Sequence, residues 1–294
     1  MANTTVWGNL ADDVIDRFAE LDDGHGLPFH YAFMFSAVGQ RQGWDAAQAQ
    51  AYLAKVKALK LYSNGVFQGW TSFRGGTLVY SITLADHIGP CLLEAYLNGA
   101  PGVTAQDVID VAVLLMNAPR SYTTFGWGIS YLAHVKNTTN VLNLTAATAM
   151  FLRRCQQAGL DIPASNGSSA DTFIMQLGKY FVQAYNPTVH NWPYSSIDPA
   201  VNDCDHLSLL VEAATVLAPA LARHVGVYVL LNNYPTTEPN RAFGHMRVGG
   251  LCPVLGVDLA DSWLTEAQTY YGNRQNEIAY LPQIARWTAR IANT

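Results

Sequence analysis

The spacing of hydrophobic positions is helical along most of the chain. Apolar residues recur three or four positions apart, which is the pattern of a helix with one buried face. One such stretch places Leu207, Leu210, Val211, Ala214 and Leu217 on a single face. Runs that alternate apolar and polar residues are scarce, so no extensive sheet is expected. The pattern therefore predicts an all-α protein.

Capping signals and breakers divide the chain into twelve predicted helices. Thr104 and Asp107 have the spacing of a capping box, and Ser168–Asp171 is typical of a helix start. Gly or Pro follows several periodic stretches. The predicted helices are 8–21, 29–38, 45–60, 78–98, 104–117, 142–158, 169–185, 205–219, 221–232, 245–256, 260–271 and 277–292.

Long and short connections alternate between these helices, which indicates helical hairpins joined by longer loops. The long connections, rich in aromatic, Gly and Asn residues, are 61–77, 118–141, 186–204 and 233–244. Three of them carry a tryptophan before the next helix: Trp70, Trp127 and Trp192. These three segments indicate a weak sequence repeat, in which each unit is one helical hairpin followed by one long loop that contains a tryptophan.

The amino-acid composition argues against several classes of protein. Half of the 294 residues are hydrophobic and only 13% are charged, which is incompatible with a disordered chain. The net charge of −5, without a basic stripe, argues against nucleic acid. No apolar run is long enough for a membrane helix, and no signal peptide is visible. We expect a single soluble domain, 1–294, that is cytoplasmic or exported by a non-classical route. The four cysteines are predicted to be reduced core residues.

One segment resembles a known architecture. Trp192-Pro-Tyr194, followed by Asn202-Asp-Cys-Asp-His206 and an apolar helix, is similar to a recurring element of α/α-toroid proteins. These include six-hairpin glycosidases, polysaccharide lyases and uronyl C5-epimerase-like domains. The resemblance implies a ring of five or six helical hairpins with a central funnel. It also implies a carbohydrate-active enzyme that cleaves or epimerises a glycan by acid–base catalysis.

The candidate catalytic residues lie near the starts of predicted inner helices, at a loop–helix junction or, for His87, two turns inside the predicted helix 78–98. They are His206, Asp205, Asp203, Tyr80 and His87. A neutral imidazole at the start of a helix suits a general base, and a lyase or epimerase would pair it with a tyrosine. A hydrolase would need two carboxylates. Alternatively, one Asp only caps the helix and His87 is a core histidine. His87 and His206 are expected to face one cavity.

Aromatic, amide and guanidinium groups in the same loops are candidates for substrate binding, because they stack on sugars, bond hydroxyls or neutralise a carboxylate. These residues are Trp70, Trp127, Tyr131, Asn140, Trp192, Tyr194 and Arg241. The alternative is that they pack within the loops.

No motif for a nucleotide, zinc protease or serine esterase is present, and no cluster has metal-ligand spacing. We therefore expect no metal and no cofactor, and a small-molecule or polysaccharide substrate. Two other functions stay open: a non-catalytic helical binding or assembly protein, and a cyclase or isomerase acting on an apolar substrate.

Overall fold

The computed structural model describes residues 4–71, 77–78, 82–129, 140–165, 167–193, 204–231 and 241–294. Thirteen α-helices account for most of these residues. In chain order they are α1 (Thr4–Leu21), α2 (Pro28–Gln42), α3 (Ala47–Ala58), α4 (Gly89–Leu97), α5 (Ala105–Met116), α6 (Leu142–Gln157), α7 (Ala170–Ala184), α8 (Cys204–Leu217), α9 (Pro219–Leu231), α10 (Arg241–Gly249), α11 (Cys252–Leu255), α12 (Asp261–Arg274) and α13 (Leu281–Ala292). The predicted helix 245–256 is in fact two, α10 and α11, because Gly249 and Gly250 interrupt it.

The helices form two concentric rings in the described part of the chain. The inner ring runs α2, α4, α6, α8, α10 and α13, and α13 packs against α2 to close it. Each inner helix also packs against one outer helix, namely α3, α5, α7, α9, α12 and α1 in the same order. This is an α/α toroid of six hairpins, which confirms the predicted fold class. The sixth hairpin combines the two ends of the chain.

Two small sheets follow outer helices, where the hydrophobic pattern predicted loops. Strands β1 (Lys60–Ser63), β2 (Val66–Thr71) and β3 (Thr77–Leu78) form one antiparallel sheet. Strands β4 (Arg120–Thr123) and β5 (Gly126–Ile129) form the other. Asn64 and Gly65 both have positive φ, as a tight hairpin turn requires. The Asn-Gly pair was the sequence signal for this hairpin.

The two hairpins correct the alignment of the tryptophan repeat. Trp70 pairs with Lys60, the first residue of its hairpin, whereas the first residue of the second hairpin, Arg120, pairs with Ile129. Ile129 therefore occupies the position of Trp70, and Trp127 lies two residues before it. The repeat is real as a succession of outer helix, β-turn and inner helix, but its tryptophans are not equivalent.

A π-helical turn, Thr83–Ile88, leads into α4. The Gly89 N–H bonds to the carbonyl of Leu84, five residues back. Pro90 has no N–H to offer the carbonyl of Asp86, and its ring crowds that carbonyl, so a wider turn relieves the clash. Turns of this kind are frequent at functional sites.

Local signals fix several helix starts. Thr104 and Asp107 form the predicted capping box of α5, and Ser169 caps α7. Cys91, Cys155 and Cys252 are buried thiols, as expected. Within the described part of the chain, none of the helices has the length and apolar character needed to cross a membrane.

Candidate functional site

A cavity of about 120 Å³ lies at the end of the ring where the inner helices begin. We call it the front cavity. Every inner helix contributes to it from its first two turns or, for α4, from the π-helical turn before it. Its lining residues are Phe33, Ile82, Asp86, His87, Asn143, His206, Leu209, Phe243, Arg247, Gln283 and Trp287. Helix starts carry partial positive charge, so this end of the ring favours acceptor groups on a ligand.

His87 and His206 both line the front cavity, as expected, although His87 lies in the π-helical turn before α4 and not within the predicted helix 78–98. His87 Nε2 lies 3.3 Å from Asp86 Oδ2. A carboxylate can only accept, so the neutral imidazole donates from Nε2 and keeps an acceptor lone pair at Nδ1. The Nδ1 atom is buried and has no hydrogen-bond partner among the described residues.

Beneath the cavity, Arg247 joins two buried carboxylates. Its Nη1 lies 2.9 Å from Asp86 Oδ2, and its Nε lies 2.9 Å from Glu212 Oε2. Burial alone would raise the pKa of Asp86, but Arg247 and His87 hold it below its ordinary value. The pKa of Glu212 is likewise lowered well below normal, by Arg290, Arg247 and Arg154 against the effect of burial. Both groups are therefore ionised near neutral pH and unsuited to donating a proton.

The remaining predicted catalytic residues are only partly described. His206 is the third residue of α8 and is half-buried at the cavity. Asp205 belongs to the first turn of the same helix, but its side chain lies outside the described residues. Tyr80 and Asp203 also lie outside them. The catalytic assignment of these groups stays a prediction.

Two of the predicted sugar-stacking tryptophans are instead part of the core. Trp70 is fully buried, and its Nε1 donates to the carbonyl of Val56 in α3. Trp192 is fully buried, stacks on Phe181 with ring centroids 4.9 Å apart, and donates to the Phe181 carbonyl in α7. Each indole hydrogen-bonds the segment that carries it to the preceding outer helix, and neither ring is accessible to a ligand.

Asn140 and Arg241 also have structural partners. Asn140 is fully buried and its Nδ2 donates to the carbonyl of Ser121, which fastens β4 to the start of α6. Arg241 Nη2 donates to Glu266 Oε1, 2.9 Å away, and it is not among the residues lining the front cavity. The prediction that these residues contact substrate is not supported by these positions.

Trp127 differs from the other tryptophans because it is 41% exposed. It pairs edge to face with the exposed Tyr122 across the β4–β5 hairpin. The Arg120 guanidinium lies 5.9 Å from the Trp127 ring centroid, and the predicted sugar-stacking role of Trp127 stays a prediction. Tyr131 and Tyr194 lie outside the described residues.

Sequence reasoning missed the contribution of α13. Gln283 and Trp287 of this helix line the front cavity, and Arg290 pairs with Glu212 at 2.8 Å. These three are spaced four and three apart, so they form one stripe of the helix. A helical stripe that combines an amide, an indole and a guanidinium was the available signal.

No protein-family model and no curated protein sequence matches the chain. Among solved structures, the chain is similar to a glycoside hydrolase family 76 (mannosidase) protein from Bacteroides thetaiotaomicron. The TM-score is 0.62 at 11% identity, and the match covers 98% of each chain. This likeness shows that the chain has the α/α-toroid fold of that glycoside hydrolase along nearly its whole length.

Proposed function

We propose that the chain is a carbohydrate-active enzyme of the glycoside hydrolase type, with the front cavity as its active site. The observation that carries the proposal is the convergence of His87 and His206 on one cavity at the start of the inner helices. The toroid fold shared with a family 76 glycoside hydrolase supports it. A shared fold does not establish function, so the function is inferred from the residues that line the cavity.

The lining fits a sugar ring. Asn143 and Gln283 supply amides that can both donate to and accept from hydroxyls, while Phe33 and Trp287 supply aromatic surface. His87 supplies an imidazole at the cavity, which Asp86 orients through Nε2.

Proton donation is the step for which the described carboxylates are unsuited, since Asp86 and Glu212 are fixed by Arg247. We assign it to His206 acting with Asp203 or Asp205, which precede or open the same helix start. In this scheme the carboxylate that does not cap α8 faces the cavity. A lyase or epimerase would instead use Tyr80 with an imidazole.

The test is turnover of a glycan panel by the wild-type protein and by His206→Ala and His87→Ala. Mannans come first, because the similar solved structure is described as a mannosidase. Each variant should lose about 100-fold or more in kcat, the scale of general acid–base catalysis, with little change in melting temperature. New reducing ends indicate a hydrolase, and unsaturated products indicate a lyase. His224→Ala is the matched control, because His224 is an exposed histidine of α9.

A second function is favoured by one observation: both described carboxylates beside the cavity are held in ion pairs. A non-catalytic glycan-binding protein would need no proton donor. Saturable glycan binding without turnover in the wild-type protein would support this alternative, and full activity of His206→Ala would contradict the enzymatic scheme.

A further inference from the structure

A second cavity, of about 390 Å³, opens at the opposite end of the ring, where α4, α6 and α13 end. We call it the rear cavity. Three arginines line it, Arg154, Arg286 and Arg290, together with Glu94. Its volume falls in the range of small-molecule pockets, about 300–1,000 Å³. It is separate from the front cavity, which contains none of these four residues.

Arg286 is the unusual member of this set. The residue is 6% exposed, and no carboxylate of the described residues lies within ion-pair distance of it. Its guanidinium contacts the Cys91 sulfur and lies 5.1 Å from the Phe33 ring centroid. Its Nε is buried without a hydrogen-bond partner. Burial would lower the pKa of Arg286, but Cys91, Glu94, Glu212 and Asp86 raise it above its ordinary value, so the guanidinium is charged without a direct ion pair among the described residues.

The two neighbouring arginines are only partly neutralised. Arg154 and Arg290 share one oxygen of Glu212, at 3.2 and 2.8 Å, and the other oxygen is occupied by Arg247. Burial lowers the pKa of Arg154, and the Arg290 and Arg247 guanidiniums lower it further against the effect of Glu212. Burial is the largest of these effects, and the single carboxylate of Glu212 is shared among three guanidiniums.

Glu94 supplies one negative charge at the cavity and raises the pKa of Arg286, but it forms no ion pair among the described residues. Its two carboxylate oxygens accept from Ser36 Oγ at 2.6 Å and from Gln40 Nε2 at 2.9 Å, both of which belong to α2. Among the described residues, four guanidiniums thus face three carboxylates at the centre of the ring: Arg154, Arg247, Arg286 and Arg290 against Asp86, Glu94 and Glu212.

Helix dipoles explain only part of this arrangement. Arg154 and Arg290 lie in the last turns of α6 and α13, where a cation offsets the partial negative charge of the helix end. Arg286 is the sixth residue of α13 and gains little from that effect. Its burial beside an open cavity requires another explanation.

We propose that the rear cavity binds a small oxyanion, a phosphate or sulfate group, between Arg286 and the pair Arg154 and Arg290. Guanidiniums donate to the oxygens of such groups in parallel pairs, and a singly charged form, dihydrogen phosphate or a sulfate ester, would neutralise the excess of one positive charge. The volume leaves room for an organic group esterified to the anion. This proposal does not rest on the proposed glycan activity.

The test is isothermal titration calorimetry of the full chain with inorganic phosphate, and separately with a hexose 6-phosphate, at constant ionic strength. Arg286→Gln and Arg154→Gln should each weaken binding about 10-fold or more, the factor expected for losing one charge-assisted hydrogen bond. Arg153→Gln is the matched control, because Arg153 is exposed on the same helix as Arg154 and bonds only Gln156 among the described residues. It should bind as the wild-type protein does.

Binding of inorganic phosphate alone would assign the site to a free ion, and tighter binding of the ester would assign it to a phosphorylated metabolite. The absence of heat with both probes would overturn the proposal. So would unchanged affinity in Arg154→Gln, which decides the question if Arg286→Gln does not fold. Binding is measured without turnover, so failure here leaves the proposed function untouched.

Discussion

His30, the third residue of α2, is a buried histidine whose protonation opposes folding. It is 5% exposed, its Nδ1 accepts from the Leu27 N–H, and its Nε2 has no hydrogen-bond partner among the described residues. Burial, reinforced by the charge of His87, lowers its pKa to about 4. The unfolded chain binds this proton near pH 6.5 and the folded chain only near pH 4. Stability from this group is therefore complete above pH 6.5 and is lost as the pH falls toward 4.

We predict that His30→Asn flattens the pH dependence of the unfolding free energy between pH 6.5 and 4. The wild-type protein should lose up to about 3 kcal/mol over that window from this residue. Asn keeps an acceptor for Leu27 but cannot titrate. Urea unfolding at several pH values measures the slope, and His25→Asn, at an exposed histidine of the same loop, is the control. Equal slopes in wild type and His30→Asn would contradict the assignment.

The sequence predicted the location of some side chains correctly and that of others wrongly. His87 and His206 share a cavity because both belong to the starts of inner helices, which the repeat revealed. Trp70 and Trp192 occupy similar places along the chain, yet both are buried, and the Nε1 of each donates to a carbonyl group of the preceding outer helix. The position of a tryptophan before a helix does not show which partner covers it, so core and ligand-facing indoles look alike in sequence.

The capping box of α5 is the element whose start depends most clearly on side chains. Thr104 Oγ1 accepts from the Asp107 N–H, and Asp107 Oδ2 accepts from the Thr104 N–H. Lys60 also donates to Asp107. We predict that Thr104→Ala lowers the unfolding free energy by about 0.5–2 kcal/mol, the range for losing a cap. Chemical denaturation measures the loss.

Thr269→Ala supplies the comparison for this prediction. Thr269 is an exposed residue within α12 whose hydroxyl donates only to the carbonyl of Thr265 among the described residues. Alanine has the higher helix propensity, so this variant should be neutral or slightly stabilised. Equal effects of the two substitutions would show that the box contributes nothing beyond helix propensity.

The helices were predictable from sequence because their periodicity and capping residues are local. The β-hairpin and the π-helical turn depend on only a few residues each, so periodicity did not reveal them. The hairpin at Asn64-Gly65 occupies only a few residues on each side, too few for alternation to register. The π-helical turn before α4 followed from Gly89-Pro90 inside an otherwise periodic stretch. It carries both Asp86 and His87, so the local irregularity coincides with the candidate site.

At the scale of the whole molecule, the ring closes through the two ends of the chain. Asp12 of α1 pairs with Arg41 at 2.8 Å, and Asn293, just after α13, donates to the carbonyl of Gln40. The first half of α1 and the end of α13 therefore lie beside the end of α2, at the rear of the ring. The sequence repeat predicted hairpins, but pairing α1 with α13 spans the full length of the chain and leaves no local pattern.

This closure predicts that the chain tolerates circular permutation. A permutant beginning at Gly102 and ending at Pro101, with residue 294 joined to residue 4 by a short Gly/Ser linker, turns α13 and α1 into an ordinary covalent hairpin. The new ends fall in an exposed turn between α4 and α5, where cleavage costs few contacts. We expect cooperative unfolding, with a melting temperature within a few degrees of wild type.

A chain starting at residue 28 is the matched comparison, because it keeps all six inner helices but lacks α1. Removing α1 exposes the face of α13 that it covers and deletes the residues that α1 buries there, including Trp7, Val14 and Phe18. The loss of that apolar contact should abolish cooperative unfolding, as calorimetry and near-UV circular dichroism would show. A stable truncated chain, or a permutant that does not fold, would mean that the two ends do not form a structural hairpin of the ring.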